Sequence, residues 1–150
     1  MSTRGTIARL TANGWRGVYT HLDSNPTEQG RAVWNSLQQR FGGDVEAFLH
    51  YAIDEHSRGW NDFQRDLPYG DARPQAWLYE TDNRCTASCN PLRIEWVYAV
   101  DSKDRLLAVY RSGRDPVGHQ GYGHLHLETY RLDGPEPDWR GLEDMSGDVF

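Results

Sequence analysis

The chain has 150 residues and carries 16 basic against 22 acidic side chains, a net charge of −6. That length suits one domain with its own core, needing neither disulfides nor metals to fold, and the 37% of hydrophobic residues include six Trp, eight Tyr and four Phe, which bury the largest areas per side chain. Three function classes recede at once: no apolar run approaches the roughly 20 residues of a membrane span, the opening segment from Met1 to Thr20 lacks the continuous apolar stretch of a secretory signal, and Lys103 among scattered arginines makes no basic stripe for phosphates. A cytoplasmic chain is expected, without membrane contact and with nucleic acid disfavoured as a partner.

In chain order, Thr6 to Leu10 and Trp15 to Leu22 read as a β-hairpin around Ala12-Asn13-Gly14, residues that tolerate the positive φ of a tight turn. Alternation puts Trp15, Gly17, Tyr19 and His21 on one face of the second strand and Arg16, Val18, Thr20 and Leu22 on the other. Neither face is polar throughout, which predicts a strand covered on both sides. Asn25 as N-cap, Pro26 at the first helical position and Glu28 in a capping box open a helix running to about Phe41. Its apolar stripe is Val33, Trp34, Leu37 and Phe41, and Gly42-Gly43 supplies a left-handed stop. Asp44 caps a second, adjacent helix with the stripe Val45, Phe48, Leu49, Ala52, Ile53 and His56, ending near Gly59.

Trp60 to Pro74 carries Asp, Pro and Gly breakers and reads as a loop. Strands are expected at Gln75 to Glu80, Ile94 to Val100 and Arg105 to Arg111, with a loop from Cys85 to Pro91. A loop with Gly113, Gly118, Gly121 and Gly123 leads to a last strand from His124 to Leu132, and a short helix from Asp138 to Leu142 is pinned by Trp139 and Leu142. The order implies an α+β fold: an N-terminal β-hairpin, two adjacent helices, then a mainly antiparallel sheet. Residues 1–143 make one domain and 144–150 a mobile acidic tail.

Chemistry concentrates in three places. At the strand-to-helix junction, His21, Asp23 and Asn25 stand beside the free N–H groups of a helix N-terminus, and the hairpin brings Arg4 near, a setting for a phosphate or carboxylate. The same residues serve equally as caps, with Arg4 pairing Asp23. On the last strand His124, His126 and Glu128 alternate onto one face, with His119 five residues before His124, a ligand set for zinc, iron or manganese. Polar side chains facing solvent opposite Leu125 and Leu127 account for the same pattern. The spacing from Gly118 to His124 and His126 is similar to the opening of a cupin metal motif, but Tyr130 and Arg131 occupy the place of its glutamate. Cys85 and Cys89 are too few for a disulfide framework or a zinc finger and read as reduced thiols, a strained bridge or half of a metal site being the alternatives. His56 falls on an apolar stripe and reads as a satisfied core histidine. Trp60, Tyr69 and Trp77 form either a binding surface or the lid of the core.

The opening Met1-Ser2-Thr3-Arg4-Gly5-Thr6-Ile7, the segment Tyr19-Thr20-His21-Leu22-Asp23-Ser24-Asn25-Pro26, and the later stretches Ile94 to Tyr98 and Gly134 to Trp139 resemble a group of short actinobacterial and actinophage proteins. Where that group carries Asp-Gly-Tyr-Pro, this chain has Asp23-Ser24-Asn25-Pro26. The resemblance implies a source of that kind and brings no activity with it. Together these features lead to a small binding protein, encoded by a phage or mobile element and acting on a host protein whose contacting surface is basic or neutral. The alternative is a metal-dependent or small-ligand enzyme using Arg4, His21 and Asp23 or His124, His126 and Glu128.

Overall fold

The computed structural model describes residues 3–12, 14–69, 94–114 and 122–147, with the backbone alone at 112–114, 122–125 and 145–147. Strands β1 (Gly5–Thr11) and β2 (Gly14–Thr20) form the expected hairpin, with Ile7 opposite Val18 and Leu10 opposite Trp15. The alternation of the sequence sorts their side chains onto two buried faces. Ile7 and Val18 join one cluster, while Ala8, Trp15 and Tyr19 join another, so β2 is covered on both sides as expected.

β1 also pairs in parallel with β5 (Trp96–Asp101), Ile7 lying opposite Tyr98. β5 continues antiparallel into β6 (Leu106–Arg114), and β6 into β7 (Tyr122–Arg131). On the other flank β2 pairs in parallel with β3 (Trp60–Asp62), which folds back on β4 (Leu67–Pro68). Among the described residues the order is β4-β3-β2-β1-β5-β6-β7. The fold is thus α+β with a mostly antiparallel sheet. Its parallel contacts need crossover connections, and the two central helices lie in the one between β2 and β3.

Two stretches expected as loops are strands. Trp60 to Asp62 is too short to show alternation, and its pairing comes from the backbone of the segment after β2: His21 N–H donates to the Trp60 carbonyl and Leu22 N–H to that of Asn61, each at 2.9 Å. Gly59 permits the approach, since at its φ of +84° a Cβ would stand 2.3 Å from the Tyr19 carbonyl oxygen. Gly113 and Gly123, expected in the glycine-rich loop, face each other across β6 and β7. Gly118, Gly121, Trp77, the strand expected at Gln75 to Glu80 and the Cys85 to Pro91 loop lie outside the described residues.

Helix α1 (26–40) follows the expected bounds closely, whereas helix α2 (45–54) stops at Asp54, short of the end expected near Gly59, and His56 stands in the turn beyond it. Each loosens to wider turns at its end, where Phe41 N–H reaches the Ser36 carbonyl and Glu55 N–H that of His50. Gly42 and Gly43 take φ values of +57° and +85°, and Asp44 Oδ1 accepts from Ala47 N–H at 3.1 Å, the cap the sequence predicted. Helix α3 (Trp139–Gly147) is longer than the turn expected there, so the segment expected as a tail from residue 144 is helical as far as Gly147. Val33, Trp34 and Leu37 of α1, Phe48 and Leu49 of α2, and Trp139 and Leu142 of α3 pack with Ile7, Trp96, Tyr98 and Val109 of the sheet. Among the described residues no helix is long and apolar enough to cross a membrane.

Candidate functional site

The strand-to-helix junction holds part of the polar group expected there. Tyr19 and His21 leave β2 on the same side, and the Tyr19 hydroxyl lies 2.6 Å from His21 Nδ1. Tyr69, which the sequence did not connect with this group, stands edge-on to both rings at 5.7 and 5.6 Å. The Arg4 charge acts on both groups. Burial pushes the Tyr19 hydroxyl up to about 12. Burial first, and then Arg4, holds His21 below its ordinary 6.5, which favours a neutral ring whose Nδ1 accepts the tyrosine proton.

Protons are therefore bound more weakly by His21 in the folded than in the unfolded chain. Stability contributed by its neutral form is complete at higher pH and is lost as pH falls through the unfolded value of 6.5 toward the lower folded one. Between about pH 7.5 and about pH 5.5 the urea midpoint of the wild type should fall more than that of His21→Gln, which has no proton to gain. Equal falls in the two proteins would remove His21 from the balance.

Asp23 turns the chain in the left-handed region at φ +50°. Ser24 is buried behind it, its hydroxyl 2.9 Å from Thr20 Oγ1 and its carbonyl accepting from the Tyr98 hydroxyl at 2.5 Å. The helix N-terminus expected to take an anion does take one, from the chain itself. Glu143 Oε1 of α3 accepts from Asn25 Nδ2 at 2.7 Å, from Thr27 Oγ1 at 3.1 Å and from Thr27 N–H at 3.4 Å. Asn25 is therefore a donor to Glu143 instead of a side-chain cap, and with Glu28 exposed the expected capping box is not formed. The carboxylate offsets the positive end of α1.

The expected metal row on β7 is divided by a β-bulge. Tyr110 pairs with His126 but Val109 with Glu128, so two residues of β7 span one step of β6. Neighbouring Val109 and Tyr110 point to opposite faces, and each partner shares the face of the residue it pairs with. His126 thus lies on the Tyr110 side and Glu128 on the Val109 side. His126 Nε2 is 2.6 Å from Thr129 Oγ1, and its ring lies 5.4 Å from that of Tyr110. His124 pairs through its backbone with Ser112, its side chain lying outside what is described, as do His119, Cys85 and Cys89. Among the described residues no three His, Cys, Asp or Glu side chains gather closely enough to hold a metal.

A cleft absent from the sequence reading lies between α1 and the β3–β4 turn. Asn35, Ser36 and Gln39 of α1 face Phe63, Gln64 and Asp66 across about 530 Å³ open to solvent. One rim is a cluster centred on Asp66, whose carboxylate accepts from the Tyr51 hydroxyl and from Arg40 Nη1, the latter at 3.3 Å. The Arg40 guanidinium lies over the Tyr51 ring at 4.1 Å. The Tyr51 hydrogen bond, followed by Arg40, holds the Asp66 carboxyl below its ordinary range, while burial and Asp66 raise the Tyr51 hydroxyl.

Behind this rim His56 is stacked on Trp60 at 3.8 Å and 18°, and its Nδ1 donates to the Tyr51 carbonyl at 2.7 Å. His56 is a satisfied histidine, as its place on the apolar stripe suggested. Trp60, fully buried with its indole N–H on the Ala52 carbonyl at 2.9 Å, belongs to the lid of the core, and Tyr69 is half-buried against the second cluster. The signal that could have located the cleft is the spacing of Ala32, Asn35, Ser36 and Gln39, a polar stripe at helical period. Such a stripe ordinarily meets solvent, and only the fold shows that a turn rises opposite it. Compared with family models, with curated proteins and with solved structures, the chain finds no match.

Proposed function

We propose that the chain is a small cytoplasmic binding protein that holds an extended segment of a partner protein in the cleft between α1 and the β3–β4 turn. The observation that carries this reading is the lining. Asn35, Gln39 and Gln64 present side-chain amides from both walls, and amides donate and accept at once, as the backbone of an extended peptide does. Phe63 offers an apolar floor, and a volume of about 530 Å³ falls within the roughly 300–1,000 Å³ of ligand sites. Arg40 and Asp66 offset each other at the rim, so the cleft itself selects little by charge. With a net charge of −6, the rest of the surface favours a partner that is basic or neutral. The likeness of the opening segment to actinobacterial and actinophage proteins makes a host protein the natural partner.

The test is selection of random linear peptides displayed on phage, followed by calorimetric titration of the enriched sequences into the wild type and into an Asn35→Lys/Gln39→Lys variant. Enriched peptides should lose at least about tenfold in affinity against the variant, with amide shift changes in the wild type concentrated on α1 and the β3–β4 turn. Peptides that bind both proteins equally, or no enrichment at all, would overturn the reading.

A further inference from the structure

The ion pair on the rim of the cleft uses only part of its hydrogen-bonding capacity. The Tyr51 hydroxyl and Arg40 Nη1 both donate to the same oxygen of Asp66, Oδ1. Oδ2 has no partner among the described residues, and neither do the other N–H groups of Arg40, whose guanidinium lies over the Tyr51 ring at 4.1 Å. Both side chains line the cleft and are half-exposed. With its carboxyl held below the ordinary range by the Tyr51 hydrogen bond and then by Arg40, Asp66 is ionised at neutral pH, and Oδ2 only accepts. The residue stands at φ +61°, where glycine closes a turn most freely, so the carboxylate is held at the rim against the backbone preference.

From this rim we propose that the partner segment is read through a primary carboxamide, the side chain of Gln or Asn, whose NH2 donates to Asp66 Oδ2 while its oxygen accepts from Arg40. Both groups of a primary carboxamide lie on one edge, so together they meet the acceptor and the donor of one ion pair. A backbone amide does not, because its N–H and C=O point in opposite directions across a trans bond. A lysine ammonium would give Arg40 no acceptor and set a like charge beside it, and a carboxylate would meet Oδ2 without a donor. Selection is then by hydrogen-bond pattern, as suits a rim whose charges offset each other. The proposal rests on the binding reading of the cleft for its context, though the rim pair can be probed without a bound segment.

Asp66→Asn supplies the test. Asparagine tolerates the left-handed turn as aspartate does, and since Tyr51 and Arg40 both donate, the new side chain must turn its oxygen to them and its NH2 to the cleft. Peptides enriched on the wild type should share a Gln or Asn at one position. Changing that residue to Glu or Asp should cost at least about tenfold in affinity for the wild type, and Asp66→Asn should abolish or reverse the preference. Peptides that lose affinity for the Asn35→Lys/Gln39→Lys variant yet share no carboxamide, or keep the same preference on Asp66→Asn, would overturn the rim assignment and leave the cleft reading intact. If no peptide is enriched, N-acetylglutamine N-methylamide and its glutamate counterpart are titrated into the full chain and followed by NMR at the Asp66 amide and the Arg40 Nε–H. Shifts with the glutamine probe alone, lost in Asp66→Asn, would keep the rim assignment while the peptide reading fails. Shifts with both probes, or with neither, would overturn the rim assignment as well.

Discussion

Trp60→Ala is expected to lower the unfolding free energy by about 3–5 kcal/mol, the range for deleting a large buried aromatic ring. The ring is fully buried and meets Phe63 edge-on at 5.1 Å, Tyr51 at 5.5 Å and His56 face to face. Its indole N–H also serves the Ala52 carbonyl in the last turns of α2, where helix carbonyls run out of partners. Alanine therefore opens a cavity and strips a helix end together. Trp60→Phe separates the two effects, retaining most of the packing and giving up the hydrogen bond, for a loss of roughly 1–3 kcal/mol. Urea unfolding monitored by circular dichroism reads both variants. A loss below about 1 kcal/mol for the alanine variant would mean that the region repacks around the missing ring.

Trp139→Ala should be of similar size, about 3–5 kcal/mol, and should act at the other end of the chain. Trp139 is buried against Trp34, edge-on at 6.3 Å. A Cβ at Gly30 would stand 3.0 Å from the Trp139 ring and equally close to Tyr98, so the indole fills a space that α1 leaves by having no side chain there. With that anchor removed, Leu142 is, among the described residues, the one left to bury α3 in the same core, and Glu143 is expected to leave Asn25 and Thr27. Hydrogen exchange should then show α3 and the Thr27 amide losing protection together, alongside the lowered urea midpoint. Retained protection at Thr27 would show that Glu143 holds α3 without the tryptophan.

What the residues disclosed by themselves was local. Gly14, Gly42-Gly43 and Asp44 act within a few positions of where they stand, so the hairpin, the helix stop and the second cap could be read directly. Trp139 and Leu142 were recognisable as anchors because large apolar residues in a polar segment have few other uses. The N-terminus of α1 was misread for the opposite reason. Asn25 is an ordinary cap by type, and nothing near it announces that Glu143, far along the chain, supplies the acceptor. The β7 row was misread because a bulge depends on the pairing of two strands, whereas alternation is judged on one. At the candidate site, alternation along β2 put Tyr19 and His21 on one side, where the hydroxyl and ring meet. The cleft was not legible, because its far wall is the turn that follows β3, a strand too short to leave a pattern.

The place of β1 in the sheet bears on how the molecule is made. Its partner β2 follows it directly in the chain, yet its other edge is completed only by the much later β5, where Gly5 meets Trp96. During translation at roughly 5–20 residues per second, the hairpin therefore waits several seconds with an open edge and with Ile7, Ala8 and Trp15 lacking part of their cover. Closing that gap joins distant parts of the chain, a step whose entropy must be met before the contact forms. The ribosome-bound chain passes through a stage in which the hairpin keeps an apolar edge open, and the arrival of β5 ends that exposure.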